Sequence, residues 1–163
     1  MIIYEEILRA FQKQKVRYVL VGGIAVNLLG YLRSTADMDI LVEMTDENLK
    51  KVVNILIKAG YHVKQPVDPL KFADMATRRD WIKNKHLKAF NFYKELNEVD
   101  IIVDAPVSFE QAKKNMVMIK SGDISIPVIS INNLIKMKKG TQRTIDKLDV
   151  TELNRIKKLM KVK

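Results

Sequence analysis

Two short segments hold most of the residues whose types and spacing could do chemistry. In the first, Gly22 and Gly23 follow a compact apolar run, residues 18 to 21, and precede helix-forming residues. Glycines between a strand and a helix let backbone N–H groups approach an anion at the helix N-terminus, where the helix dipole also favours negative charge. This turn therefore predicts a phosphate-binding site.

The second segment spans residues 33 to 39 and ends in two carboxylates, Asp37 and Asp39. Because residues two apart on a strand point to the same side, the pair would present its carboxylates side by side. Two such charges repel each other unless a cation joins them. Mg²⁺ fits because it takes hard oxygen ligands and bridges carboxylates to substrate phosphates, and Mn²⁺ is the alternative ion.

A third carboxylate is available from Asp100, which lies inside the apolar run 99 to 103. A carboxylate among apolar residues is costly without a partner. A neighbouring strand that placed Asp100 beside Asp37 and Asp39 would complete a two-metal site, in which one metal activates a hydroxyl and the other holds a triphosphate. Asp104 has the same parity along the strand and is the weaker candidate, so the choice between the two stays open.

The elements that must position these residues alternate between helix and strand in the first sixty residues. Hydrophobic runs and glycine stops predict helices at 5–14, 24–29 and about 45–59, and strands at 18–21 and 37–42. Further on, we expect a strand at 61–64, a helix at 70–79, a capped helix at 108–114, helices at 131–139 and 145–161, and two hairpins. The hairpins are formed by residues 87–92 and 99–103 around Asn97-Glu98, and by residues 116–119 and 124–129 around Ser121-Gly122-Asp123.

The amino-acid composition excludes several catalytic mechanisms and a membrane-spanning segment. The chain has 163 residues and no cysteine, which excludes disulfides, thiolate catalysis and the usual structural zinc sites. His62 and His86 have no metal-ligand spacing and are interpreted as structural. The longest apolar stretch, residues 18 to 32, is too short and too interrupted to cross a bilayer, and no signal peptide is recognisable, so a cytoplasmic protein without membrane contact is expected.

Charge is concentrated at the C-terminal end. Residues 136 to 163 contain ten Lys and Arg against three Asp and Glu, which places +7 of the net charge of +10 in this tail. Such asymmetry favours polyanions such as nucleic acids, although a solvated helix face explains it equally well. A second basic stretch, residues 78 to 88 around Trp81, could hold RNA or DNA, but an exposed segment with Trp81 as a core anchor is favoured.

Taken in order, the motifs resemble those of the DNA polymerase β nucleotidyltransferase superfamily, and among its members the small prokaryotic abortive-infection and toxin-type enzymes. The resemblance covers residues 17–43, 98–104 and 130–153, whereas residues 61–96 match nothing recognisable. It rests on Gly-Gly, on Arg-x-Thr-x-Asp-x-Asp at 33–39, on a later strand Asp, and on a looser tail motif.

The resemblance implies an α/β (α+β) nucleotidyltransferase fold, a mixed β-sheet flanked by helices, as a single domain of residues 1–163 with a basic helical segment at 130–163. It implies Mg²⁺-dependent transfer of a nucleotidyl group from an NTP to a hydroxyl, and a cognate antitoxin is a candidate partner. The basic tail favours RNA, such as a tRNA end, as the acceptor, while a protein or a small molecule stays open as an alternative. The implied catalytic and metal-binding residues are Asp37, Asp39 and Asp100, and the implied nucleotide-binding residues are Gly22, Gly23, Arg33, Thr35, Lys138 and Arg143.

The spacing of apolar residues in the last two helices gives independent support to Lys138. Lys138 falls in the middle of an apolar helical stripe, so it needs a buried anion or a cleft, and Asp149 lies on the apolar face of the last helix, where it could pair with Lys138 or Arg143. Inactive relatives keep such a fold, so a non-catalytic module that binds nucleotides or nucleic acids is the alternative function.

Overall fold

A computed structural model describes residues 3–161, which form seven helices around one seven-stranded sheet. The helices are α1 (Glu5–Lys13), α2 (Gly22–Leu28), α3 (Asp46–Lys58), α4 (Met75–Lys83), α5 (Phe109–Asn115), α6 (Ile131–Lys139) and α7 (Thr144–Lys161). The strands are β1 (Tyr18–Val21), β2 (Met38–Val42), β3 (His62–Val63), β4 (Ala89–Lys94), β5 (Asn97–Ile102), β6 (Val117–Ser121) and β7 (Ile124–Val128).

The sheet is mixed, with the strand order β3-β4-β5-β2-β1-β7-β6. β2 pairs in parallel with β5, and β1 pairs in parallel with β7, whereas the other neighbours are antiparallel. The predicted α/β class with a mixed sheet flanked by helices is therefore confirmed.

Burial explains why the central strands form where they do. All four residues of β1 are buried, as expected for a strand covered on both faces. In β2, Met38, Ile40, Leu41 and Val42 are buried, and Asp39 is the one partly exposed position. Asp39 is thus the one residue of β2 that is accessible to solvent to a substantial extent.

Two local predictions were wrong. Residues 70–79 do not form one helix: a 3-10 turn spans Pro69–Ala73, and α4 starts afresh because the Asp74 side chain accepts a hydrogen bond from the Thr77 N–H as its N-cap. The first hairpin turns at Glu95-Leu96 rather than at Asn97-Glu98, because Asn97 already pairs with Lys94 in the ladder.

The C-terminal helices are joined to the same core as the sheet. Leu134 and Ile135 of α6 and Leu153 of α7 are buried in the hydrophobic cluster that includes β1, β2 and β7. This packing brings the polar residues of α6 and α7 towards the ends of β1 and β2. Within residues 3–161, no helix combines the length and the apolar character needed to cross a membrane.

Candidate active site

A row of polar side chains crosses the middle of the sheet on one level. Asp39 of β2 is in register with Asp100 of β5, and Asp100 is in register with Asn91 of β4. On the other side, Asp39 is opposite Val21, the residue directly before Gly22. Because residues in register on neighbouring strands point to the same face, Asp39 and Asp100 face one region next to the glycine turn.

Asp39 has the most strongly altered carboxyl group of the row. Burial, followed by the negative charges of Asp100 and Asp37, raises its pKa to about 7, against an opposing effect of Lys138 and Arg143. Burial also raises the pKa of Asp100, although the hydrogen bond from Asn91 opposes this. A buried carboxyl group whose pKa is raised by neighbouring carboxylates is an arrangement that favours a cation.

The two glycines are required by the side chains of the second motif. Gly22 has a φ of +70°, and a Cβ built on it would overlap the Asp39 carboxylate, lying 2.7 Å from Cγ. A Cβ on Gly23 would overlap the Thr35 hydroxyl and lie 2.9 Å from Nη2 of Arg33. The glycine turn therefore packs directly against Asp39, Thr35 and Arg33, which brings all five predicted residues together.

The N-terminus of α2 begins at this turn. Its N-cap is Val21, and no side chain within residues 3–161 caps the helix. The first N–H groups of a helix have no intrahelical acceptor and are available to an anion. The position next to Asp39 thus combines N–H donors with the carboxylates.

Arg33 forms an ion pair with Asp149 of α7. Its Nε and Nη2 donate to Oδ1 and Oδ2 of Asp149 at 2.8 and 2.9 Å, and Asp149 is fully buried. The guanidinium also donates to the backbone oxygen of Ser34 at 3.0 Å. Arg33 therefore lies beside the glycine turn, and the edge of its guanidinium group that carries Nε and Nη2 binds the motif to the last helix.

Lys138 continues this network. Its buried ammonium group lies 2.8 Å from Oδ1 of Asp146 and 2.8 Å from Oδ2 of Asp149. Asp146 also accepts hydrogen bonds from Thr141 and from Nε of Arg143, and its pKa is lowered by these contacts despite burial. The predicted pairing of Lys138 with Asp149 is present, whereas Asp149 takes Arg33 rather than Arg143 as its second partner.

A cavity of about 330 Å³ joins this network to Asp39. Gly22, Asp39, Lys138 and Arg143 line it together, so the structure brings these predicted residues to one opening. Its remaining wall is mostly apolar and includes residues from β5, from the segment after β5 and from α6: Ile102, Ala105, Pro106, Leu134 and Met137. A cavity lined by both charged and apolar groups suits a nucleotide.

The protein offers few ligands of its own to the cation that the motifs predict. Within residues 3–161, no three His, Cys, Asp or Glu side chains are grouped closely enough to hold a metal ion by themselves. Mg²⁺ is typically held by one or two carboxylates together with water and substrate phosphates, and not by an all-protein cage. Asp39 and Asp100, with Asp37 close enough to raise the pKa of both, fit an ion that completes its coordination with water and substrate phosphates.

The remaining predicted residues take different places. Asp37 is exposed and precedes β2. Asp104 is also exposed, lies after β5 and forms an ion pair with Lys88, although it lines the same cavity. Trp81 is buried and stacks on Phe72, in agreement with its interpretation as a core anchor.

Several residues of the site were not found from the sequence. Asn91 donates a hydrogen bond to Asp100, and the buried Tyr4 donates through its hydroxyl group to the carbonyl oxygens of Ala36 and Glu98. The one available signal was the polar Asn91 between two apolar residues of a strand, which places it on the opposite face from Phe90 and Phe92.

Comparison with known proteins identifies the class of molecule. Residues 2–117 match the model of a family described as uncharacterised nucleotidyltransferases. The chain belongs to this family, and it is a nucleotidyltransferase that uses an NTP as nucleotidyl donor. A search of curated proteins gives no match.

Three solved structures share the fold. The lincosamide antibiotic adenylyltransferase LnuA, solved with lincomycin, is 22% identical, has a TM-score of 0.62, and is similar over 92% of this chain and 93% of its own. ANT(2")-Ia, in complex with adenylyl-2"-tobramycin, is 14% identical with a TM-score of 0.57, over 93% and 84%. A putative nucleotidyltransferase from Thermotoga maritima is 16% identical with a TM-score of 0.54, over 98% and 88%.

Proposed function

We propose that the chain catalyses Mg²⁺-dependent transfer of a nucleotidyl group from an NTP to a hydroxyl group. The observation that supports this most directly is the register of Asp39 with Asp100, one strand away from the Gly22 turn. Family membership supports the class of reaction, and the two carboxylates support the dependence on a divalent cation.

The proposed roles follow from position. The N–H groups at the start of α2, at Gly22 and Gly23, bind the phosphates, while Asp37, Asp39 and Asp100 hold the cation. When bound, Mg²⁺ supplies charge neutralisation and polarisation of the phosphate and hydroxyl oxygens. We assign the third carboxylate to Asp100 rather than Asp104, because Asp100 is in register with Asp39 and Asp104 is paired with Lys88.

Other predicted residues act on the nucleotide from the cavity wall. Lys138 and Arg143 lower the pKa of Asp39, so their positive charge reaches the site even though both bind Asp146. We propose that Arg143, whose side chain is 73% exposed, contacts the triphosphate. Thr35 and Arg33 support the turn, and Arg33 acts through its pair with Asp149.

The proposed acceptor is RNA, such as a tRNA end, bound through the basic segment 130–163. Several lysines and arginines of α7 are exposed, which suits contact with a phosphate backbone. The second candidate is a small hydroxylated molecule, because two of the structures that share this fold over most of their length are named as antibiotic adenylyltransferases or hold an adenylylated antibiotic.

One experiment tests the proposed reaction with both classes of acceptor. The purified chain is incubated with Mg²⁺ and each labelled NTP in turn, with total RNA, lincomycin or tobramycin as acceptor. We expect label transfer that EDTA and Asp39→Asn abolish. Transfer that survives in Asp39→Asn would contradict the proposed site, and RNA binding without transfer in any reaction would support a binding module instead.

A further inference from the structure

A chain of side-chain amides leads from the sheet edge to Asp100. Gln65, two residues after β3, donates from Nε2 to Oδ1 of Asn91 at 2.7 Å. Asn91 in turn donates from Nδ2 to Oδ1 of Asp100 at 2.8 Å. Both amides are partly buried and lie beside the proposed cation site.

The backbone fixes the direction of this chain. Oε1 of Gln65 accepts from the N–H of Asn91 at 3.2 Å, and Nε2 also donates to the carbonyl oxygen of Ala89 at 3.2 Å. Gln65 therefore presents an N–H group, and not its oxygen, to Asn91. Because the side-chain oxygen of Asn91 accepts this hydrogen bond, the NH₂ group of Asn91 faces Asp100.

One oxygen of Asp100 is thereby bound to the protein. We propose that Gln65 and Asn91 are positioning residues that hold Oδ1 of Asp100 against β4 and leave Oδ2 for the divalent cation. This inference rests on the proposed cation site. Partners of this kind, which orient a ligating carboxylate without touching the metal, typically change metal affinity by about 10- to 100-fold.

Gln65→Glu gives a test in which two explanations predict opposite signs. A carboxylate at position 65 cannot donate, so the Asn91 amide would turn over, face Asp100 with its oxygen and displace it. The positioning role therefore predicts weaker cation binding. A simple charge effect predicts tighter binding, because the substitution adds a negative charge near the site.

The probe is Mn²⁺ alone, titrated into the full chain and followed by EPR, with unfolding temperature as a check on the fold. We expect Gln65→Glu and Asn91→Leu each to weaken Mn²⁺ binding about ten-fold, and Gln14→Glu, an exposed glutamine at the end of α1, to leave it unchanged. Gln65→Glu preserves the size of the side chain, so it remains informative if Asn91→Leu does not fold.

The failures are distinguishable. Unchanged or tighter Mn²⁺ binding in Gln65→Glu, with binding lost in Asp39→Asn and Asp100→Asn, would overturn the positioning role and leave the proposed function standing. Mn²⁺ binding that is unaffected by Asp39→Asn and Asp100→Asn would overturn the cation site itself, and the positioning role with it.

Discussion

Arg33 and Asp149 join the segment of residues 33–39 to the last helix through two parallel hydrogen bonds of 2.8 and 2.9 Å. Asp149 is fully buried and its other partner is the ammonium group of Lys138. The segment that positions Asp37 and Asp39 is thus held at its start by a residue 116 positions away in the chain.

Removal of this pair should destabilise the fold strongly. We expect Asp149→Ala to lower the free energy of unfolding by about 3–5 kcal/mol, because it leaves the largely buried Arg33 without its carboxylate partner and removes one of the two carboxylates that bind the buried Lys138. Urea unfolding measures this. Glu152→Ala is the matched control on the same helix: its partner Arg155 is 75% exposed, so the expected loss is below about 1 kcal/mol. Equal losses in the two variants would contradict the structural role of Asp149.

Gly22→Ala should abolish transfer, and Gly122→Ala should not. Both glycines have positive φ, +70° and +61°, so both substitutions cost about 1–2 kcal/mol of backbone strain. A Cβ at position 122 meets nothing within 4 Å, whereas one at position 22 overlaps the Asp39 carboxylate and must displace it. Transfer assays and urea unfolding on both variants separate the strain from the displacement; full activity in Gly22→Ala would argue against this packing.

Tyr4→Phe should loosen the start of β2. The Tyr4 hydroxyl group bonds the carbonyl oxygens of Ala36 and Glu98, just outside the β2–β5 ladder. The two carbonyl groups share the single hydrogen of this hydroxyl group, which also accepts from the Glu98 N–H at 3.2 Å, and for its loss we expect about 1–3 kcal/mol of destabilisation and faster amide exchange around Asp37. Tyr93→Phe, at a surface tyrosine of β4, is the control and should change neither quantity. Slow exchange in Tyr4→Phe would show that Tyr4 does not restrain this segment.

The local parts of the site were predictable from the sequence. The glycine turn, the Asp-x-Asp strand and the later strand Asp each lie in a segment whose hydrophobic pattern defines its own element. Burial of β1 and of the alternate residues of β2 follows directly from that pattern.

Contacts that depend on register were not predictable. A hairpin turn at Asn97-Glu98 would have placed Asp100 opposite Glu95, whereas the turn at Glu95-Leu96 places it opposite Asn91. Because the predicted turn was two residues out of place, the sequence did not predict that the Asn91 amide binds Asp100. In the same way, the sequence indicated that Asp149 needed a cation, but the choice of Arg33 depends on how α7 packs against the sheet.

Stability of the metal-free protein should depend on the pH through Asp39. The pKa of its carboxyl group is about 7 in the folded protein, against an ordinary value of 3.8, so the folded state binds the carboxyl proton more tightly than the unfolded state does. The resulting stabilisation is complete below about pH 4 and is lost as the pH rises through 7. With EDTA present, we expect the free energy of unfolding of Asp39→Asn at pH 8 to be a few kcal/mol higher than that of the unaltered chain, since each pKa unit corresponds to about 1.4 kcal/mol. At pH 4 we expect the two free energies of unfolding to be similar. Urea unfolding at both pH values measures the difference, and the exposed Asp104→Asn should show no such gain; a difference that does not change with pH would contradict the raised pKa.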